Sequence, residues 1–251
     1  MKKRFNSTGI CIRRKHYMVD ISNKLSEIEN LIESDFYFVI NRPRQYGKTT
    51  TLNELYNKLK NKYTVIDISF EGIDEKLFED SKLFCNEFID LMKESIDDQI
   101  LLNEFREVDN ISELSELISD ITSDREIILL IDEVDKSANN KLFLNFLGML
   151  RAKYMRREKG RDTSFKSVIL AGVYDIKNLK LKLRDDEERM YNLPWNIAVN
   201  FDIDMSFNEN EIGSMLLEYS KVNKLNMNIS ELSNEIYKFT SGYPFLVSRI
   251  C

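Results

Sequence analysis

The sequence runs to 251 residues with a formal net charge of −6, 43% hydrophobic and 31% charged positions. That length allows a sizeable buried core, in one large domain or one domain with a small appendage. The acidic balance excludes a global basic field of the kind that gathers nucleic acid, and no apolar run nears the roughly 18 residues of a membrane helix.

Three scattered cysteines, Cys11, Cys85 and Cys251, with no apolar secretion signal ahead of them, read as free thiols in a reducing cytoplasm. A single histidine, His16, excludes a multi-histidine metal site. In chain order, residues 22–34 have helical spacing. Residues 36–40 (FYFVI) predict a buried strand, followed by a tight loop and by Gly47-Lys48-Thr49 opening a helix that runs to about residue 62. Strand, loop and helix in that order are the layout of a P-loop. Backbone N–H groups of Arg44, Gln45, Tyr46, Gly47, Lys48, Thr49 and Thr50 would face an anion. Lys48 would reach the β- and γ-phosphates, and the Thr49 hydroxyl would ligate Mg²⁺. The pattern G-x-x-x-x-G-K-[ST] is broken once, because Arg42 stands at the first glycine.

Residues 63–70 alternate like a second strand, and an acidic helical region follows over 74–124. The apolar run of 126–136 (EIILLIDEVDK) predicts a strand buried on both faces and ending in acids. A long helix with a basic end covers 139–158. Its run Arg151, Lys153, Arg156, Arg157, Lys159 and Arg161 reads first as a solvated helix end favoured by the macrodipole. An arginine finger for a neighbouring subunit is the second reading and a nucleic-acid patch the third. Residues 165–175 predict another buried strand and 196–207 a fifth, entered through Pro194 and Trp195, with the tryptophan a core residue. Helical segments at 210–222 and 229–239 lead to SGYPF, and the sequence reaches Cys251 inside a further helical pattern with no C-terminal cap, as expected of a fragment of a longer protein. Strands alternating with helices predict an α/β fold: a three-layer P-loop core with a parallel central sheet over residues 1–207, and an incomplete helical lid over 208–251.

A P-loop needs a second half: a carboxylate near Mg²⁺ and a group that orients the attacking water. The strand ILLIDE supplies both at the carboxyl edge of the sheet, where parallel sheets bind ligands, with Asp132 on the metal and Glu133 as the base. Adjacent acids at a strand end commonly do no more than solvate it; their position roughly 80 residues after a strand-GKT-helix gives them the nucleotide reading. Guanine is read by N-K-x-D, and none of the Asn-Lys pairs at Asn23, Asn61, Asn140 or Asn223 has Asp at the required position, so ATP is the expected nucleotide.

RPRQYGKTT, LLIDEVDK and SGYPFLVSR together resemble a bacterial AAA-like ATPase domain of the broader AAA+/STAND group. The resemblance spans nearly the whole chain and is strongest at the two Walker segments. In related families a Pro-Arg pair often precedes xGKT, which makes Arg42 a tolerated variant. The resemblance implies that the strand at 165–173 lies between the P-loop and Walker B strands and carries a polar sensor at its end, Tyr174 or Asp175. It also implies that Pro244 of Gly242-Tyr243-Pro244 packs on adenine, that Arg249 is a sensor reaching from the lid, and that Tyr17 to Val19 flank the base. Each has a plainer structural alternative: a strand-end cap, a Gly-Pro loop between helices, one arginine among many, a packed segment. The expected activity is Mg²⁺-dependent ATP binding with slow hydrolysis, coupled to a downstream domain. Self-association through the ATPase domain is a further expectation, and contact with nucleic acid is expected only through a C-terminal domain beyond these residues. A nucleotide-gated regulatory module without turnover and a DNA-acting ATPase are the alternatives. A small-molecule kinase ranks behind them, because Asp-Glu at a strand end suits water activation.

Overall fold

The computed structural model describes residues 2–137, 140–173 and 195–251. Four parallel strands form one sheet: β1 (Phe38–Asn41), β2 (Thr64–Ser69), β3 (Ile127–Asp132) and β4 (Ser167–Gly172), in the order β1-β4-β3-β2. β4 thus lies between the P-loop strand and the acidic strand. Every position of β3 and β4 is buried, which is why both read as unbroken apolar runs.

Nine helices accompany the strands among the described residues: α1 (Ser22–Glu33), α2 (Lys48–Leu59), α3 (Ser81–Glu94), α4 (Gln99–Leu102), α5 (Ile111–Ile121), α6 (Lys141–Arg157), α7 (Glu209–Asn223), α8 (Ile229–Thr240) and α9 (Pro244–Ile250). Several open on Asn or Asp caps. Asn110 accepts from the Ser112 and Glu113 amides, Asn140 from Leu142 and Phe143, and Asn208 forms a reciprocal capping box with Glu211. No helix is long and apolar enough to cross a membrane among the described residues.

The segment expected as a fifth strand, 196–207, is a correction. It contributes one isolated parallel bridge, Val199 with Phe38, with the Val199 amide donating to the Tyr37 carbonyl at 2.9 Å. Ahead of the bridge the chain turns at Trp195, whose carbonyl accepts from Ala198; beyond it Asp204 takes the Ser206 amide in a local turn. Such short-range bonds offer the backbone an alternative to a ladder.

The chain packs as two compact units that do not follow chain order. The larger comprises Leu31–Asn41 and Leu55–Phe201 and holds the whole sheet. Its core joins β1–β4 to α3, α5 and α6 through an aromatic cluster that includes Phe70, Phe84, Phe88, Phe143 and Phe146. The smaller comprises Met1–Asn30, Arg42–Glu54 and Asp202–Cys251, so the loop after β1 packs with the C-terminal helices and the N-terminal arm. Within it Lys24 pairs with Glu211 and donates to the Ser206 carbonyl at 2.9 Å, and Arg13 pairs with Glu54.

Candidate functional site

In the larger unit, the register brings the carboxyl ends of the four strands to one edge. Asn41 pairs with Gly172, Leu170 with Ile131, and Asp132 with Ser69. Asp132, only 5% exposed, closes β3, and its Oδ1 accepts the Glu133 amide at 2.9 Å. Glu133 then adopts a left-handed backbone, φ 55°. That region costs an L-residue about 1 kcal/mol or more and is concentrated where a side chain must be aimed. Glu133 is left partly exposed, while Val134 returns to the core at the start of a single 3-10 turn.

Two carboxylates of this edge escaped the sequence reading. Asp67 on β2 lies opposite Leu130 and diagonal to Asp132, on the same face of the sheet. Burial, and then the Asp132 charge, push its carboxyl up to about 6. An ionisable residue inside an otherwise apolar strand was the available signal. Asp135 reaches β4: its Oδ2 accepts the Val173 amide at 2.5 Å, and a Cβ on Gly172 would stand 2.7 Å from its Oδ1. The carboxylate thus fastens the end of β4, and a side chain at Gly172 would require the Asp135 carboxylate to shift. Tyr174 and Asp175, the expected sensors, lie outside the described residues.

Arg42 follows Asn41 directly and begins the loop of the smaller unit. Gln45 has φ 64° and Gly47 φ 74°, two left-handed residues separated by one in the loop that the sequence assigns to an anion. Lys48, 8% exposed, opens α2 and donates to the Arg42 and Pro43 carbonyls at 2.9 and 3.1 Å, so its ammonium spans the loop. Thr49 is exposed, and the Thr50 Oγ1 accepts the Cys11 amide at 3.1 Å. Arg42, the departure from the P-loop pattern, donates from its Nη2 to the Ile203 carbonyl at 2.8 Å. Arg44 and Gln45 are exposed, and the Tyr243 hydroxyl lies 3.1 Å from the Arg44 carbonyl and 3.3 Å from the Gln45 Oε1.

The remaining expected residues are distributed as follows. Pro244 is buried at the first position of α9, where its missing N–H is harmless. Arg249 is exposed in the last turn of that helix. Tyr17 is 3% exposed in an aromatic cluster with Phe5 and Tyr219, its hydroxyl accepting from Asn223 at 3.1 Å. In the basic run of α6, Lys153 is buried on Asp162 and Arg157 stacks on Tyr37 and Tyr154.

The sequence of residues 13–250 matches the family model of the AAA-like domain. The chain belongs to the AAA-like domain family. This AAA-like domain is similar in structure to the Walker-type ATPase of Pyrococcus abyssi, with a TM-score of 0.60 at 15% identity, over 97% of this chain and 69% of that one. It is more distantly similar to Cdc6p of Pyrobaculum aerophilum (TM-score 0.46, 16% identity, 80% of this chain and 49% of that one) and to the ORC2 protein of Aeropyrum pernix (0.45, 13%, 88% and 56%). No curated protein matches the sequence. The family is that of the AAA-like domain, and the fold is shared with the Walker-type ATPase.

Proposed function

We infer that this AAA-like domain binds ATP with Mg²⁺ and hydrolyses it slowly, using the nucleotide state to control the lid helices. The observation that carries this reading is the pairing of two strand ends on one sheet edge: β1 runs straight into a loop with left-handed Gln45 and Gly47 ahead of Lys48, and β3 ends in Asp132 and left-handed Glu133. Lys48 and the amides of 44–50 hold the phosphates, and Glu133 orients the attacking water.

The donor set fits Mg²⁺. No cluster of three His, Cys, Asp or Glu side chains is assembled among the described residues, and an ion held by one carboxylate, a hydroxyl and nucleotide phosphates needs none. Asp132 and Thr49 would hold the ion, which supplies charge neutralisation at the phosphates when bound. Pro244 is the candidate adenine contact, Arg249 the candidate lid sensor, and Tyr17 the candidate residue of the wall flanking the base.

Turnover by the wild type, with Glu133→Gln retaining ATP and losing hydrolysis and Lys48→Ala losing affinity, tests this assignment. ATP binding without turnover in the wild type favours a nucleotide-gated switch. The Arg42–Ile203 bond is the observation on that side, since it ties the start of the loop where a glycine would leave it free. No ATP binding at all overturns both readings.

A further inference from the structure

We propose that Tyr243 is a positioning residue for the phosphate loop: through it the lid imposes on the loop the shape that glycines ordinarily supply. This rests on the nucleotide-binding reading above and adds to it the means by which lid and nucleotide influence each other. The Gly242-Tyr243-Pro244 turn attracts notice for its proline, yet the residue of that turn that reaches the loop is the tyrosine between.

Residues 42–47 contain one glycine, and Gln45 holds φ 64° without a glycine's freedom. A left-handed glutamine is populated only when its surroundings over-determine it. Beside the Lys48 and Arg42 bonds, part of those surroundings comes from the lid. The Tyr243 hydroxyl has one proton to give and two acceptors within reach, the Arg44 carbonyl at 3.1 Å and the Gln45 Oε1 at 3.3 Å; these flank the peptide that enters the left-handed turn. The Tyr243 ring packs on the Tyr46 ring, with centroids 4.9 Å apart and planes tilted by 34°. Hydroxyl and ring therefore grip the loop on both sides of Gln45.

Tyr243 is itself rigidly presented. It caps α9, with Pro244 next in the helix and its amide bonded to the Thr240 carbonyl at 2.9 Å, and Gly242 before it is pressed against Phe207. Loss of the Tyr243 contacts with Arg44, Gln45 and Tyr46 would free the loop to leave its shape. By linkage, a triphosphate that needs the loop ordered draws the lid into place. The contact is local, specific to one hydroxyl and one ring, and separable from the chemistry of Lys48 and Glu133.

The test is a double-mutant cycle between Tyr243→Phe and Gln45→Gly on the full chain. Phenylalanine keeps the ring contact and removes the hydrogen bond; glycine gives the loop intrinsic freedom at φ > 0. Three readouts are taken: ATP affinity by equilibrium titration, hydrogen exchange of the amides at 44–47 without nucleotide, and the unfolding midpoint. Tyr243→Phe is expected to weaken ATP binding roughly fivefold to tenfold, the scale of one hydrogen bond, and to speed exchange at the loop amides. In the Gln45→Gly background the same change is expected to cost less than about twofold, because the loop no longer depends on the latch. Equal ATP affinity in wild type and Tyr243→Phe overturns the proposal. So does an undiminished loss in the Gln45→Gly background, which would make Tyr243 a general support of the lid. A wild type that binds no ATP, yet shows faster loop exchange in Tyr243→Phe, overturns the nucleotide-binding reading and the latch's role in it while leaving the contact itself standing.

Discussion

Gly242 and Phe207 meet backbone to backbone: the Phe207 amide donates to the Gly242 carbonyl at 2.8 Å, and a Cβ on Gly242 would stand 1.9 Å from the Phe207 oxygen. Gly242 also has φ 73°, following Ser241 at 49°. Two requirements, a left-handed backbone and an absent side chain, therefore fall on one residue. Gly242→Ala is expected to destabilise the smaller unit by more than about 3 kcal/mol, since the obstacle is main chain and cannot rotate away. The check is thermal unfolding, read beside hydrogen exchange in α8 and α9. A loss under about 1 kcal/mol would mean the turn relaxes without cost.

The contrast between Gly242 and Tyr243 shows what a sequence makes visible. Local structure was legible around each motif: GKT opening a helix after an apolar strand, DE at the end of another strand, Gly-Pro punctuation after a helix. β3 and β4 stood out because burial on both faces writes an unbroken apolar run. The contacts of Tyr243 with residues almost 200 positions earlier were not legible, because long-range pairing leaves no periodic trace. Nor was the loss of the fifth strand, whose apolar content reflects Phe201 stacked on Phe38 and not ladder pairing. The grouping of residues 42–54 with both chain ends is likewise a property of packing.

Asp67 predicts a pH effect. Its carboxyl titrates near 6 in the folded protein, above the ordinary aspartate value of 3.8, through burial first and Asp132 second. The native state therefore binds more protons than the unfolded chain between those values. Stability contributed by the neutral form is present at low pH and is lost as pH rises through about 6. In metal- and nucleotide-free buffer, Asp67→Asn is expected to raise stability at pH 7 by up to about 3 kcal/mol and to flatten the profile between about pH 4 and 7. Denaturant unfolding across that range decides the matter. An unchanged slope in the variant would remove Asp67 as its source.

Lys153 and Asp162 form a buried pair with unequal partners. Lys153 is 1% exposed and its ammonium is 3.1 Å from the Asp162 Oδ2. Burial lowers the Lys153 pKa, against the support of Asp162. For Asp162, burial alone would raise the carboxyl, but bonds from Ser119 and Lys153 hold it below the usual range. Asp162→Asn leaves the buried ammonium with the Ser119 hydroxyl but without its counter-charge and is expected to cost roughly 3–5 kcal/mol. Lys153→Met leaves Asp162 with the Ser119 hydroxyl and the Thr163 amide, and should cost less than half as much. Combining the two should cost less than Asp162→Asn alone. Chemical denaturation of the three variants tests this; a double variant as unstable as the sum would show the two sites to be independent.

Glu133 offers a separation of strain from chemistry. Its left-handed φ of 55° costs the fold on the order of 1 kcal/mol, and its carboxylate is the proposed water-orienting group. Glu133→Gln keeps the backbone strain and removes the base. Glu133→Gly removes both, with part of the gain offset by the greater entropy of glycine in the unfolded chain. Both variants are expected to lose turnover by about a hundredfold or more. Only Glu133→Gly should match or exceed the wild type in stability, by up to about 1 kcal/mol over the glutamine variant. Turnover and unfolding free energy measured on the same preparations test the two claims independently. A glycine variant less stable than the glutamine one would place the stabilising contribution in the side chain. Retained turnover in either would move the water-orienting role away from Glu133.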